Sequence, residues 1–202
     1  MAEKLRLLHL GLLLEYFSLV WMTIECVVSI GAGLFSGSIA LVAFGGDSFV
    51  ELLSSCVVTG HLRRIVGGKS IGFERDTRAE KAEAFLLFSL IPIIGLGAVY
   101  SYLSRIQAEA SPLGIAVTLG AVVIMPLLWY EKAHIGHATD CLPLTMDAIE
   151  SATCFLMSVA LLTSLLINYI WKISWVDYVA TIIILCFIAR ETLEAISEIK
   201  LG

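Results

Sequence analysis

The sequence predicts an all-α membrane protein built as a bundle of six transmembrane helices. Of its 202 residues, 58% are apolar and only 15% are charged, and the mean hydropathy is +0.91. Soluble domains average about 45–50% apolar and about 25% charged residues. The apolar residues form runs of about 18–27, which suits membrane-spanning helices, whereas barrel strands need only about 10. Because lipid satisfies no backbone hydrogen bond, helices are the simplest solution for these runs.

The six predicted spans follow one another through short connections. They cover residues 9–34, 39–62, 82–104, 113–130, 144–170 and 176–192. A Gly/Ser-rich turn at 36–38 separates the first two spans, and a basic stretch at 63–81 precedes the third. A loop is expected at 131–143, and residues after 192 continue as helical turns that leave the membrane. We expect a single domain over residues 1–202, without a soluble C-terminal domain.

The basic residues predict the orientation of the bundle. If the N-terminus is cytoplasmic, eleven of the thirteen Lys and Arg residues lie on that side, Lys132 among them. Only Arg105 and Lys172 lie on the far side. The positive-inside rule therefore places both termini in the cytoplasm. We expect an integral multi-pass protein of the cell membrane (plasma or inner membrane), surrounded by lipid.

Several classes of function are disfavoured. No long basic run is present, so nucleic acid is a poor partner. Five scattered cysteines without a CxxC pair support neither a disulfide framework nor a zinc finger. The sequence has no phosphate loop, HExxH motif or Ser/His/Asp set, so we expect no enzyme and no cofactor.

Acidic side chains inside the apolar spans are the strongest functional signal. These acids are Glu15, Glu25, Asp47, Glu51, Asp147 and Glu150. A charged side chain at bilayer depth costs about 2.5–3.5 kcal/mol on insertion scales. No Lys or Arg is expected inside these spans, so a bound cation, a bound proton or water must stabilise the acids.

The spacing of acidic and cysteine residues along two of the helices predicts a candidate metal site. Asp47 and Glu51 are four residues apart and share one face of the second helix, as Glu150 and Cys154 do on the fifth. Two such pairs can surround one ion tetrahedrally. Carboxylate and thiolate ligands suit Zn²⁺ or Cd²⁺ better than Mg²⁺ or Ca²⁺.

Each assignment has a structural alternative. Cys154 can be a small packed residue, and Asp47 with Glu51 can be a protonated pair facing a wet cleft. Asp147 can cap the start of the fifth helix or support a ligand from behind. Glu15 and Glu25 can bond neighbouring hydroxyls, stay protonated, lie on a proton pathway or contact the metal directly.

The histidines offer a weaker candidate. His134 and His137 are three residues apart and precede Asp140, which allows a secondary metal site in the expected loop. The alternative is that these are ordinary residues at the membrane surface.

Four segments resemble the cation diffusion facilitator transporters. Residues 36–51, with S-G-S-I-A-L followed by G-D-S-F-V-E, resemble the second helix of that family. Residues 142–154 resemble its fifth-helix motif. Arg78-Ala79-Glu80 is similar to the R-A-E of its basic loop, and Trp175-Val176-Asp177 to the W-x-D before its sixth helix.

The resemblance implies a homodimer that exports a divalent metal, usually zinc, in exchange for protons by alternating access. It implies the ligands Asp47, Glu51, Glu150 and Cys154, with Asp147 in place of the acid that precedes the family histidine. Three ligands depart from the family: Glu51 and Cys154 stand for aspartates, and Glu150 stands for histidine. Cd²⁺, Mn²⁺ and Fe²⁺ therefore stay open beside Zn²⁺. Alternatives from other classes are a metal sensor or accessory subunit without transport, and a cation channel.

Overall fold

The chain folds entirely into helices over the residues that its structure, a computed structural model, describes. The backbone is described at residues 2–67, 77–109 and 111–201, and the side chains at 4–67, 84–109 and 111–197. The helices are α1 (Ala2–Ser36), α2 (Ile39–Val66), α3 (Thr77–Leu103), α4 (Pro112–Thr139), α5 (Leu142–Trp171) and α6 (Val176–Leu201). The described part contains no strand. This confirms the all-α prediction, while most of the basic stretch at 63–81 lies outside the described residues.

Helices α1 to α5 are long and apolar enough to cross a membrane. Helix α6 differs because charges interrupt it at both ends: Asp177 lies in its first turn, and Arg190 and Glu191 follow its apolar centre. The sixth span therefore stays a prediction, whereas the helix itself is present.

Helix α4 is longer than expected. The segment 131–139 continues α4, where the sequence suggested a loop. The helix ends only at Asp140, which adopts the left-handed conformation with φ of 52° and lets the chain turn into α5. Pro143 then lies in the first turn of α5, where a missing backbone N–H costs no helical hydrogen bond.

The bundle has a core of four helices with a flanking pair. Helix α1 packs on α2 and α4, α4 packs on α5, and α2 contacts α5, while α3 packs on α6 and α2. Glycines allow α1 and α2 to approach closely: a Cβ on Gly45 would lie 2.9 Å from the backbone nitrogen of Ile30. A Cβ on Gly33 would lie 2.8 Å from that of Val42. Any larger residue at these positions would push the two helices apart.

An acid from α6 fixes the start of α2. The Asp177 carboxylate accepts hydrogen bonds from the Ser38 hydroxyl at 2.5 Å and from the Ile39 backbone N–H at 3.0 Å. Ser38 is itself the N-cap of α2 and accepts from the Leu41 N–H. Orphan N–H groups at the α2 N-terminus are thus satisfied by an anion, which also suits the helix dipole.

Candidate metal centre

Glu25 lies at the meeting point of three helices. Its side chain, on α1, is fully buried. One carboxylate oxygen, Oε1, lies 2.7 Å from the Ser48 hydroxyl of α2 and 3.5 Å from the Cys154 sulfur of α5. The other oxygen accepts a hydrogen bond of 2.8 Å from the Trp21 indole N–H. Glu25 therefore contacts Cys154, one of the residues expected to bind metal.

Asp47 and Glu51, both on α2, lie beside Glu25 of α1 and Cys154 of α5. They are 0% and 5% exposed, and none of their four carboxylate oxygens has a hydrogen bond of ordinary length to the described residues, although Asp47 faces Glu191 of α6. Both acids are close enough to Glu25 for electrostatic repulsion, and Glu51 also contacts the Cys154 thiol. We call Glu25, Asp47, Glu51 and Cys154 the central acid cluster. No described Lys, Arg or His side chain forms an ion pair with these residues.

Two further acids border the central acid cluster. Glu150 is half-buried, and its carboxylate accepts a hydrogen bond of 3.2 Å from the Ser54 hydroxyl. Glu191, on α6, is also half-buried and interacts electrostatically with Glu51. The acidic region thus extends from a fully enclosed centre to partly accessible edges.

The structure brings the four expected ligands into one region but does not assemble them into a finished site. Asp47, Glu51 and Cys154 belong to the buried centre, and Glu150 lies at its edge. Within the described part of the chain, no three His, Cys, Asp or Glu side chains converge closely enough to hold a metal ion. Side-chain rotation would be needed to bind one, so the ligand assignments stay predictions.

A second buried group of charges lies on the same four core helices. Lys132, fully buried on α4, forms ion pairs with Asp147 of α5 and with Glu15 of α1, the latter at 3.3 Å. Asp147 also accepts a hydrogen bond of 2.8 Å from the Ser55 hydroxyl of α2. We call Glu15, Lys132 and Asp147 the ion triad. With a rise of about 1.5 Å per helical residue, the ion triad lies about 10–15 Å along the helices from the central acid cluster.

The ion triad corrects two expectations. The expected absence of Lys or Arg among the spans is wrong, because α4 continues beyond residue 130 and carries Lys132 into the bundle. The capping role for Asp147 is also wrong, because Cys141 is the N-cap of α5 and Asp147 lies inside the helix. Because Lys132 lies inside the bundle, the count of Lys and Arg residues on the cytoplasmic side falls from eleven to ten. The predicted orientation is unchanged.

Sequence reasoning missed Lys132 and Glu191. Lys132 was assigned to a loop because charged and histidine residues follow the apolar run, although no proline interrupts 127–139. That uninterrupted segment was the available signal. Glu191 was assigned to the helical tail, and no signal in the sequence connects it with Asp47 or Glu51.

The structure does not assemble the secondary histidine site. Asp140 ends α4 as an exposed residue and forms a surface ion pair with Lys4 at 3.1 Å. The His134 ring stacks on the Tyr130 ring, with centroids 6.5 Å apart. No metal-binding trio forms there among the described residues.

Comparison with known families gives one match. A family model described as the cation efflux transmembrane domain matches residues 16–199. No curated protein matches the chain significantly. The match covers nearly the whole chain, including the central acid cluster and, from the ion triad, Lys132 and Asp147; Glu15 lies just before the first matched residue.

Proposed function

The chain belongs to the cation efflux family of membrane transporters, and on that premise we propose that it exchanges a divalent transition-metal ion, in first place Zn²⁺, for protons. The observation that carries this proposal is the central acid cluster. Asp47 and Glu51 place four buried carboxylate oxygens beside the Cys154 thiol, and among the described residues none of these oxygens has a hydrogen bond of ordinary length. Buried carboxylates need a cation or protons to neutralise them.

The chemistry of these groups favours exchange over simple conduction. A metal ion binds carboxylates and a thiolate, so protons on Asp47, Glu51 and Cys154 must leave when the metal arrives. Protons arriving from the other side of the membrane would reverse the process. The four expected ligands, Asp47, Glu51, Glu150 and Cys154, would together carry four negative charges, which exceeds the charge of a 2+ ion. We therefore propose that one of them keeps its proton in the metal-bound state.

The enclosed position of the site supports alternating access. The cytoplasm-facing state would admit the metal between α2 and α5, where Glu150 lies at the partly exposed edge. Rocking of the helix bundle would then open the site to the far side. Because Asp47 is fully enclosed, at least one such opening is required before an ion can reach it.

The ligand types support a borderline or soft metal ion. Sulfur from Cys154 favours Zn²⁺ or Cd²⁺, while a carboxylate-rich set also suits Mn²⁺ and Fe²⁺. We rank Zn²⁺ first because the family resemblance implies it. A homodimer through the membrane helices and a place in the cell membrane are further parts of the proposal.

The experiment is metal uptake by proteoliposomes that contain this protein alone. Zn²⁺, Cd²⁺, Mn²⁺ and Fe²⁺ would be supplied in turn, with a pH dye on the opposite side. We expect saturable metal flux, with protons moving in the opposite direction, that is lost in Asp47→Ala. Glu194→Gln, which changes an exposed acid of α6 paired with Arg190, is the matched control and should transport normally.

Each alternative gives a different result. Unsaturable flux without proton movement would contradict antiport and indicate a channel. Metal binding without flux would indicate a sensor or accessory subunit. Mass measurement of the protein in detergent tests the homodimer.

A further inference from the structure

We infer that α1 supplies a direct ligand to the transported ion, and that this ligand is Glu25. This inference rests on the proposed function, since it names a residue that would bind the same ion. It goes beyond the pairs on α2 and α5, which contain all four ligands expected from the sequence. Under this inference the enclosed ion is held by the central acid cluster, with Glu150 at its edge.

The distance between Glu25 and Cys154 supports a shared ion. Zn–O bonds are about 2.1 Å and Zn–S bonds about 2.3 Å, so an oxygen and a sulfur on one tetrahedral zinc lie about 3.6 Å apart. The Glu25 Oε1 and Cys154 Sγ atoms are 3.5 Å apart. An ion can therefore bind both atoms with little change in either helix.

The surroundings of this pair also fit a ligand site. Asp47 and Glu51 are at least nine-tenths buried and border the Glu25–Cys154 pair. Their carboxylate oxygens have no hydrogen bond of ordinary length within the described residues, while Glu51 faces the Cys154 thiol and Asp47 faces Glu191. Rotation of either carboxylate would supply the remaining oxygens. Trp21 and Ser48 hold the Glu25 carboxylate toward α5, so its position is set before the ion arrives.

Glu150 is less well placed to hold an enclosed ion. Glu150 is half-buried as a residue, with its Oε2 atom enclosed and its Oε1 atom accepting a hydrogen bond from Ser54. Glu25 is fully buried and lies 3.5 Å from the Cys154 sulfur. Glu150 is therefore better placed to guide the ion into the centre than to hold it there.

The first test compares Zn²⁺ affinity in the purified full-length protein by competition with a chelating dye. Loss of supporting groups around a metal already costs about 10–100-fold in affinity, so losing a direct ligand in Glu25→Gln should cost at least about 100-fold. Glu150→Gln should cost less than about tenfold, and Glu194→Gln nothing. A Glu25→Gln affinity within twofold of wild type would overturn the inference.

The second test gives a positive signal and does not depend on the first variant folding. If Cys154 binds Co²⁺ as a thiolate, the wild-type protein should show a thiolate-to-cobalt charge-transfer band. Glu25→Cys should raise that band about twofold, since two thiolates rather than one would bind the ion. Glu150→Cys should leave the band unchanged.

The outcomes separate this inference from the proposed function. A stronger band in Glu150→Cys but not in Glu25→Cys would overturn the role of Glu25 and restore Glu150 as the ligand. A wild-type protein that binds Co²⁺ without any such band would instead overturn the role of Cys154. A protein that binds no metal at all would contradict the proposed function itself.

Discussion

The ion triad and the central acid cluster place buried carboxylates on the same core helices but neutralise them differently. In the ion triad, the Lys132 ammonium lies between Glu15 and Asp147. In the central acid cluster, Glu25, Asp47 and Glu51 have no basic partner among the described residues, and Asp47 and Glu51 have no hydrogen bond of ordinary length there. The first group has one internal cation for its two acids, whereas the second has none among the described residues and needs protons or a metal ion.

We interpret this difference as one between a structural role for the ion triad and the transport role proposed for the central acid cluster. A buried ion pair holds its helices together mainly because breaking it leaves an uncompensated charge. A set of buried acids without a partner destabilises the fold until protons or a metal ion arrive. Variants in the ion triad should therefore change stability, and variants in the central acid cluster should change transport.

The largest expected effect is loss of transport in Glu51→Gln. This change removes a ligand but also removes a like charge next to Asp47, so the midpoint temperature of unfolding should stay the same or rise. Mutating a residue that only supports a metal ligand costs about 10–100-fold. Because Glu51 is proposed to bind the metal directly, we expect metal flux in proteoliposomes to fall at least about 100-fold. Normal flux in this variant would contradict the site assignment.

The next effect is loss of stability in Lys132→Met. Breaking a buried ion pair costs about 3–5 kcal/mol, because the two buried acids, Glu15 and Asp147, lose the cation that both of them contact. For a chain of this size, that corresponds to a fall of about 10 °C in the midpoint temperature in detergent. Adding Glu15→Gln and Asp147→Asn to this variant should restore most of the loss. An unchanged midpoint in Lys132→Met would show that the ion triad is not structural.

A smaller effect is expected on metal preference in Cys154→Ser. Replacing a soft sulfur by a hard oxygen should weaken Cd²⁺ binding more than Zn²⁺ binding, changing the affinity ratio about tenfold. Competition binding on the purified protein measures this ratio. Cys56→Ser, at an exposed cysteine of α2, is the control. A ratio equal to that of the control would mean that Cys154 packs without binding metal.

The smallest effects come from two serines that each bond a buried carboxylate. Ser55 donates to Asp147 in the ion triad, and Ser48 contacts Glu25 in the central acid cluster. Ser55→Ala should lower stability by about 1–3 kcal/mol without changing Zn²⁺ affinity. Ser48→Ala should lower Zn²⁺ affinity by up to about tenfold, because it loosens Glu25. Lower Zn²⁺ affinity in Ser55→Ala together with lower stability in Ser48→Ala would contradict the assignment of a structural role to the ion triad and a metal-binding role to the central acid cluster.

Much of the fold followed from the sequence because membrane spans are long and strongly apolar. The segments around 39–62 and 144–170 coincide with α2 and α5, whose ends have clear signals such as Ser38 and Pro143. The predicted end of α4 at residue 130 is wrong, because the polar residues that follow continue the helix to Thr139. In a bundle, a polar segment such as 131–139 can continue a helix wherever a neighbour neutralises its charges.

The candidate site was predicted in part. Spacing along one helix identified Asp47 with Glu51 and Glu150 with Cys154, because residues four apart share a face. Spacing says nothing about contacts between helices. The sequence therefore could not show that Glu25 contacts Cys154, or that Lys132 pairs with Asp147.

The sequence by itself determined the membrane setting, the helical class, the family resemblance and the acids available for a cation. These depend on composition and on periodicity within single helices, which are local properties. Only the tertiary structure decided which acids share a partner. The hydrogen bonds and ion pairs of Glu15 and Glu25 join α1 to α2, α4 and α5. Such contacts depend on how helices rotate and approach one another, and glycines such as Gly33 and Gly45 show how close that approach is.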